Sequence, residues 1–194
     1  MKILFIVLGA VTILFIIFQL YFMNSQKNIE KYPYKVVKNY GDFEIRVYEA
    51  SLFTSVKLSS NTYKETSSKG FSILAGYIFG GNNKNEKIAM TSPVAMTIDD
   101  ATTMMFLVPK KYTKETLPKP NNNDIKFTEM PAKKVAAITF NGWANDDKIK
   151  DYKEKLRAAL DKNEIKYTAK FYFLGYNAPF ELLNRKNEVI LELE

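Results

Sequence analysis

The apolar residues of this chain fall into three patterns: an unbroken run, an alternation of period two, and stripes at helical spacing. From Ile3 to Met23 the only polar side chains are Thr12, Gln19 and the phenol of Tyr21. That run matches the roughly 20 residues a helix needs to cross a bilayer. From Val36 onward the period falls to two. Phe43, Ile45 and Val47 alternate with Glu44, Arg46 and Tyr48, and Leu52 to Leu58 gives a second strand. Thr62 and Glu65 stand at the spacing of a capping box, and Phe71, Leu74, Ala75 and Ile78 recur at helical spacing until Gly80-Gly81 stops the helix. Asn82 to Glu86 is a polar turn. Two strands follow, Lys87 to Ile98 and Met104 to Val108, joined by a turn at Asp99-Asp100. Pro109 to Asp124, with three prolines and Asn121-Asn122-Asn123, reads as an exposed connection.

Beyond that connection the order repeats. Ile125–Met130 and Val135–Phe140 are strands, and Asn145-Asp146-Asp147 caps a helix with the stripe Ile149, Tyr152, Leu156, Ala159 and Leu160. Tyr167 to Tyr176 and Val189 to Leu193 complete the set. Two strand-strand-helix-strand-strand units in tandem imply an internal pseudo-repeat. The expected class is α+β, with two helices covering an eight-stranded, mainly antiparallel sheet. The helices, near Tyr63–Phe79 and Asp146–Asp161, should be related by a pseudo-twofold axis and lie on one sheet, since each apolar stripe needs a sheet face.

The strand Lys87–Ile98 is the most informative. Its inward face reads Ile88, Met90, Ser92, Val94, Met96 and Ile98, with Pro93 on the other face. Proline cannot donate to a central ladder, so the strand bulges there or runs along an edge. Methionine is shape-tolerant and suits an adaptable apolar wall, although ordinary core packing gives the same pattern.

Composition changes the picture mainly by what it lacks. With 46% hydrophobic and 25% charged residues, a full core can form. The net charge is +7, yet the lysines are scattered singly and no basic run is interleaved with aromatics, so nucleic acid is not an expected partner. There is no cysteine, which removes disulfides, thiol nucleophiles and zinc–thiolate sites. There is no histidine either, which removes the commonest general base and metal ligand. An enzyme is not expected, and no catalytic or metal-ligating residues are assigned. Asp99-Asp100 and Asp146-Asp147 are adjacent carboxylates that point apart and suit a turn and a helix N-terminus. Gly76 to Asn82 lacks the lysine of a phosphate loop and follows a helix. Trp143 is expected to pack where the second helix begins.

Residues 1–23 are read as an uncleaved transmembrane signal-anchor, 24–34 as a tether and 35–194 as the folded domain. A cleaved signal peptide is the alternative, but the run is long for one and Met23-Asn24-Ser25 lacks two small residues at the cleavage spacing. Lysines on both sides, Lys2 before and Lys27, Lys31, Lys35 and Lys38 after, leave the charge rule for orientation ambiguous. The very short N-terminal tail favours an extracytoplasmic domain.

The wording of several blocks carries a family resemblance. Lys87-Ile88-Ala89-Met90-Thr91-Ser92-Pro93-Val94 closely resembles the signature strand of the SOUL haem-binding protein family. Phe43 to Glu49 is similar to that family's opening strand, and Gly70 to Leu74 with Tyr77 to Asn82 to its first helix and turn. Phe140-Asn141-Gly142-Trp143-Ala144 resembles the segment before its second helix, with Asn141 for glycine. Gly175 to Phe180 and Asn184 to Val189 resemble its C-terminal signature, with Ala178 for a proline and Lys186 for an arginine. The resemblance covers about Tyr34 to Glu194.

The resemblance implies a distorted barrel-like sheet with two helices, holding haem or another porphyrin in an apolar cleft beside the first helix. The helix positions it carries over are Phe71, Leu74, Ala75 and Ile78, with the segment near Phe180 and Arg185 closing the other side. Some relatives offer a histidine to the iron. This chain has none, so iron is left with tyrosine, methionine, lysine, water or nothing, and the ring should bind mainly by apolar contact. For Arg185-Lys186-Asn187-Glu188, a turn held by an Arg–carboxylate pair competes with a propionate-binding role. The expected function is a monomeric, membrane-anchored tetrapyrrole carrier or buffer. The alternative is a non-enzymatic interaction or effector-binding module that uses the same cleft for another apolar ligand or a partner segment.

Overall fold

Helix α1 (Lys2–Ser25) is the apolar run, and it is long and apolar enough to cross a membrane. The computed structural model describes residues 2–25, 29–98, 101–179, 181–182 and 184–194; the turn at Asp99-Asp100 lies outside them. Two short strands precede the repeat: β1 (Glu30–Lys31) and β2 (Tyr34–Asn39). The first unit is β3 (Glu44–Tyr48), β4 (Ser51–Leu58), α2 (Tyr63–Ile78), β5 (Thr91–Ser92) with β6 (Val94–Ile98), and β7 (Thr102–Leu107). The second is β8 (Ile125–Met130), β9 (Lys133–Asn141), α3 (Asp146–Lys162), β10 (Tyr167–Gly175) and β11 (Lys186–Leu193).

The sheet order is β2-β3-β9-β11-β10-β6-β7-β4-β8, antiparallel at every junction. Leaving out β2, exchanging the two units reverses this order onto itself. The pseudo-twofold axis therefore passes between β10 and β6. Each unit lends its first strand to the other: β3 pairs with β9, and β8 with β4. The sheet has nine strands where eight are expected. The extra one, β2, is exposed along its whole length, so no alternation marks it. Glu30–Lys31, inside the stretch read as a tether, pairs parallel with Thr91–Ser92.

Of the strand predicted over Lys87–Ile98, residues 87–90 are not strand; Thr91–Ser92 form β5, and past the cis Ser92–Pro93 bond Val94–Ile98 form β6, between β10 and β7. Both helices pack on one face of the sheet. Leu74, Tyr77 and Ile78 of α2 and Ile149, Leu156 and Leu160 of α3 join one buried cluster with Met96, Met104, Phe106, Phe140, Phe173 and Val189. Gly70 sets how closely α2 sits, because a Cβ there would lie 2.9 Å from Leu58 and 3.1 Å from Met104. The sheet's other face carries no helix, yet it is buried too. The sheet curls into a half-barrel whose flanks meet on Tyr32, its ring 4.3 Å from Tyr48 of β3 and 5.1 Å from Phe53 of β4. Curling is the way a one-layer face with no covering helix is kept from water.

Candidate functional site

Helix α2 begins as the sequence predicts. Thr62 accepts from the backbone N–H of Glu65, but the Glu65 carboxylate takes a hydrogen bond from Ser60 Oγ, which itself accepts from the Thr62 N–H. A further device comes from the second unit. The Asp146 carboxylate, in the first turn of α3, accepts from the N–H groups of Tyr63 (2.6 Å) and Lys64 (3.1 Å). Two positive helix ends thus meet across the pseudo-axis, and a carboxylate from one satisfies donors of the other.

Immediately beside this junction is a cavity of about 400 Å³, within the range of small-molecule sites. Three walls enclose it. Tyr63, Ser67 and Phe71, successive residues on one stripe of α2, form the first. Val94 and Met96 of β6, Met104 of β7 and Phe173 of β10 form the floor. Trp143, Pro179 and Arg185, from the segments before α3 and between β10 and β11, form the third. Most of this lining is apolar, and Met96 and Met104 give it the soft floor expected of a tolerant pocket.

The third wall is held by Arg185. Its guanidinium donates to the carbonyls of Ala178 (3.0 Å) and Glu181 and lies 4.0 Å from the centre of the Trp143 ring. Its Nε is buried and finds no acceptor among the described residues. Burial pulls its pKa down, against the opposing pull of Tyr63 and Glu181. The turn is therefore held by Arg–carbonyl bonds; the Arg–carboxylate pair of the sequence reading is made by Arg46 with Glu188. Tyr63 packs edge-on against Phe173 at 5.2 Å. Burial pushes its phenol up in pKa, while the Arg185 cation draws it down and Asp146 pushes it up.

Of the six residues carried over from the resemblance, Phe71 and Arg185 line the cavity. Leu74, Ala75 and Ile78 do not: they are buried between α2 and the sheet. Phe180 lies outside the described residues. The reason is geometric. The stripe of α2 that reads as apolar is the one that seats the helix, and the cavity faces the neighbouring stripe, which reads Tyr-Ser-Phe with Ser68 and Ser72 beside it. Small hydroxyl side chains leave room, and hydrophobicity alone does not mark them. Trp143 was expected as packing and proves to be a wall residue.

The sequence reading also missed a charge network under the sheet. Arg46 makes a bidentate pair with Glu188 (2.9 and 3.1 Å), and Glu188 further accepts from Tyr176 (2.6 Å) and Thr139 (3.2 Å) and pairs with Lys186 at 2.8 Å. Glu188 is fully buried. Burial pushes its pKa up, but Arg46, Lys186 and Tyr176 outweigh that and hold it below the usual carboxylate range. Burial and the Glu188 charge push the Tyr48 hydroxyl up to about 12. The strand pattern sets Arg46 and Tyr48 opposite Phe43 and Ile45, and the curl of the sheet buries that face too.

A half-barrel sheet with two helices on one face, and an apolar cleft at the junction of the halves with a cation at its rim, is an arrangement able to hold a small molecule. The profile of the SOUL heme-binding protein family matches residues 29–192, and the chain belongs to that family. It is similar to Heme-binding protein 1 of Xenopus laevis, 30% identical over 156 residues, covering 76% of this chain and 81% of that one. It is also similar to Heme-binding protein 2 of Mus musculus, 28% identical over 170 residues, covering 83% and 82%. Among solved structures, the C-terminal domain of EcmrR superposes with a TM-score of 0.62 at 11% identity, over 83% of this chain and 98% of that one. A hydrolase from Listeria innocua gives 0.59 at 9% identity, over 79% and 92%. These two show a shared fold alone.

The residues present fit a porphyrin. The cleft offers aromatic rings of Phe71 and Trp143 for its faces, and Arg185 at the rim for an anionic substituent. Tyr63, Met96 and Met104 are the cavity side chains with an atom able to reach iron. Among the described residues no cluster of three or more acidic side chains forms a separate metal site.

Proposed function

We propose that this protein binds haem or a related tetrapyrrole in the cleft between α2, the β6–β7–β10 floor and the Trp143–Arg185 wall. It acts as a monomeric carrier or buffer without chemistry of its own. What supports the reading most is that an apolar cavity of about 400 Å³ with a rim cation occurs in a member of a haem-binding family. Apolar contact supplies the affinity, at roughly 1.5–3 kcal/mol for each large side chain buried. Arg185 supplies orientation by pairing with a propionate. Helix α1 anchors the protein in a single pass, with residues 35–194 on the extracytoplasmic side.

Two experiments test this. Titrating the full chain in detergent with protoporphyrin and with haemin should give absorbance changes that saturate at one equivalent, and Phe71→Ala should weaken both by about tenfold. Absence of saturable binding by either ring overturns the cleft reading. Separately, the full-length protein should stay in the membrane pellet through a high-salt wash, and a truncated protein beginning near Lys31 should be soluble and folded. A mature protein that begins near Asn24 refutes the anchor.

A further inference from the structure

Resting on the cleft reading above, we infer that Tyr63 is the iron ligand, giving its phenolic oxygen to a ferric porphyrin seated in the cavity. Three cavity side chains carry an atom able to coordinate iron: Tyr63, Met96 and Met104. The two methionines are floor residues, 1% and 2% exposed. Met104 is wedged under α2, its sulfur 3.1 Å from where a side chain at Gly70 would begin. Reaching up to a ring would empty the contacts that seat the helix.

Tyr63 has no such tie. It stands at the N-terminal end of the cavity stripe and is partly exposed, and among the described residues its hydroxyl makes no hydrogen bond. Its ring is fixed edge-on against Phe173, which limits where the oxygen points. Arg185, from the facing wall, draws the Tyr63 phenol down in pKa against the stronger upward push of burial. Asp146 is the acidic group acting on the same phenol, and its carboxylate is already engaged by the Tyr63 and Lys64 N–H groups. The strands beneath contribute Val94, Met96, Met104, Phe173, Gly175 and Asn187, none of them charged. On coordination the phenol gives up its proton to solvent, the oxygen lone pair forms the bond, and no electron is transferred. A hard anionic oxygen favours ferric over ferrous iron, as a thioether does not.

Packing alone would bind an iron-free ring about as well as haem. If Tyr63 ligates, iron adds affinity over packing. The test compares haemin with protoporphyrin on the full chain in detergent. Wild-type protein should prefer haemin by about tenfold or more, with the absorption of a tyrosinate-ligated ferric haem. Tyr63→Phe keeps the ring on Phe173, so the fold should persist while the ratio of haemin to protoporphyrin affinity falls to about one. Tyr63→His should restore a preference with a shifted spectrum, which distinguishes a lost ligand from a damaged cleft. A preference that survives in Tyr63→Phe, or that disappears in Met96→Leu instead, overturns the assignment. Failure of protoporphyrin itself to bind would condemn the cleft reading, a different result.

Discussion

The two halves of this domain are related by a palindromic strand order, yet the apolar cleft opens beside α2, whereas the equivalent place beside α3 is filled by Ile149. Leu156 and Leu160 of α3 occupy the places that Leu74 and Ile78 hold in α2, all four buried. Seven residues earlier in each helix, Ile149 of α3 stands where α2 has Ser67, and Lys153 where α2 has Phe71. Ile149 is 4% exposed and fills its junction, and Lys153 reaches over the Phe171 ring at 3.5 Å. Ser67 leaves the equivalent junction open. The connections differ as well: three residues join β6 to β7, whereas ten join β10 to β11, and Pro179 and Arg185 of the longer one line the third wall. The duplicated scaffold thus carries an open cleft on one side, where one helix stripe is small and one connection is long. Under the sheet the flanks differ too. The Arg46–Glu188 pair occupies one, and a neutral Ser55–Thr128 hydroxyl bond of 2.8 Å the other.

The largest expected effect lies under the sheet. Glu188→Ala strands a buried guanidinium and should cost about 3–5 kcal/mol of stability. Ser55→Ala on the other flank should cost about 1 kcal/mol. Denaturant unfolding of both variants measures the difference, and equal costs would break the contrast between the flanks. Next in size, Ile149→Ser should cost about 2–4 kcal/mol by emptying a filled junction. Smaller effects follow with pH. The folded Glu188 carboxyl titrates below its ordinary value of 4.5, so its contribution is complete above that value and is lost as pH falls through the lower folded one. Acid unfolding of Glu188→Gln should show a flatter slope there, and an unchanged slope would refute the network's role. The smallest is Trp143→Ala. Trp143 is 53% exposed, so its loss should cost less than about 1 kcal/mol of stability while still weakening porphyrin binding.

Much of the fold was legible because apolar alternation, the Thr62 and Asn145 caps and the tandem order are local or periodic signals. The strand β2 was not, since a fully exposed edge strand has no alternation to read. Neither was the buried side of Arg46 and Tyr48. Period two assigns residues to opposite faces, but only the curl of the sheet decides that both faces are dry. In the site, Phe71 and Arg185 were reached by resemblance and do line the cavity. Leu74, Ala75 and Ile78 were reached by the same resemblance, but they belong to the apolar stripe, which is what marks helix-to-sheet packing. The cavity stripe is marked by small residues between Tyr63 and Ser72, a signal that appears only when α2 is laid against α3.

That contrast provides the decisive measurement. Ser67→Ile puts into α2 the side chain that closes the α3 junction, and it needs no change elsewhere. Titrated with haemin and protoporphyrin, the variant should bind both at least about tenfold more weakly than wild type, while its melting temperature stays equal or rises. A variant that melts normally and still binds one equivalent with wild-type affinity would contradict the account, because the ring would then sit somewhere other than this cleft.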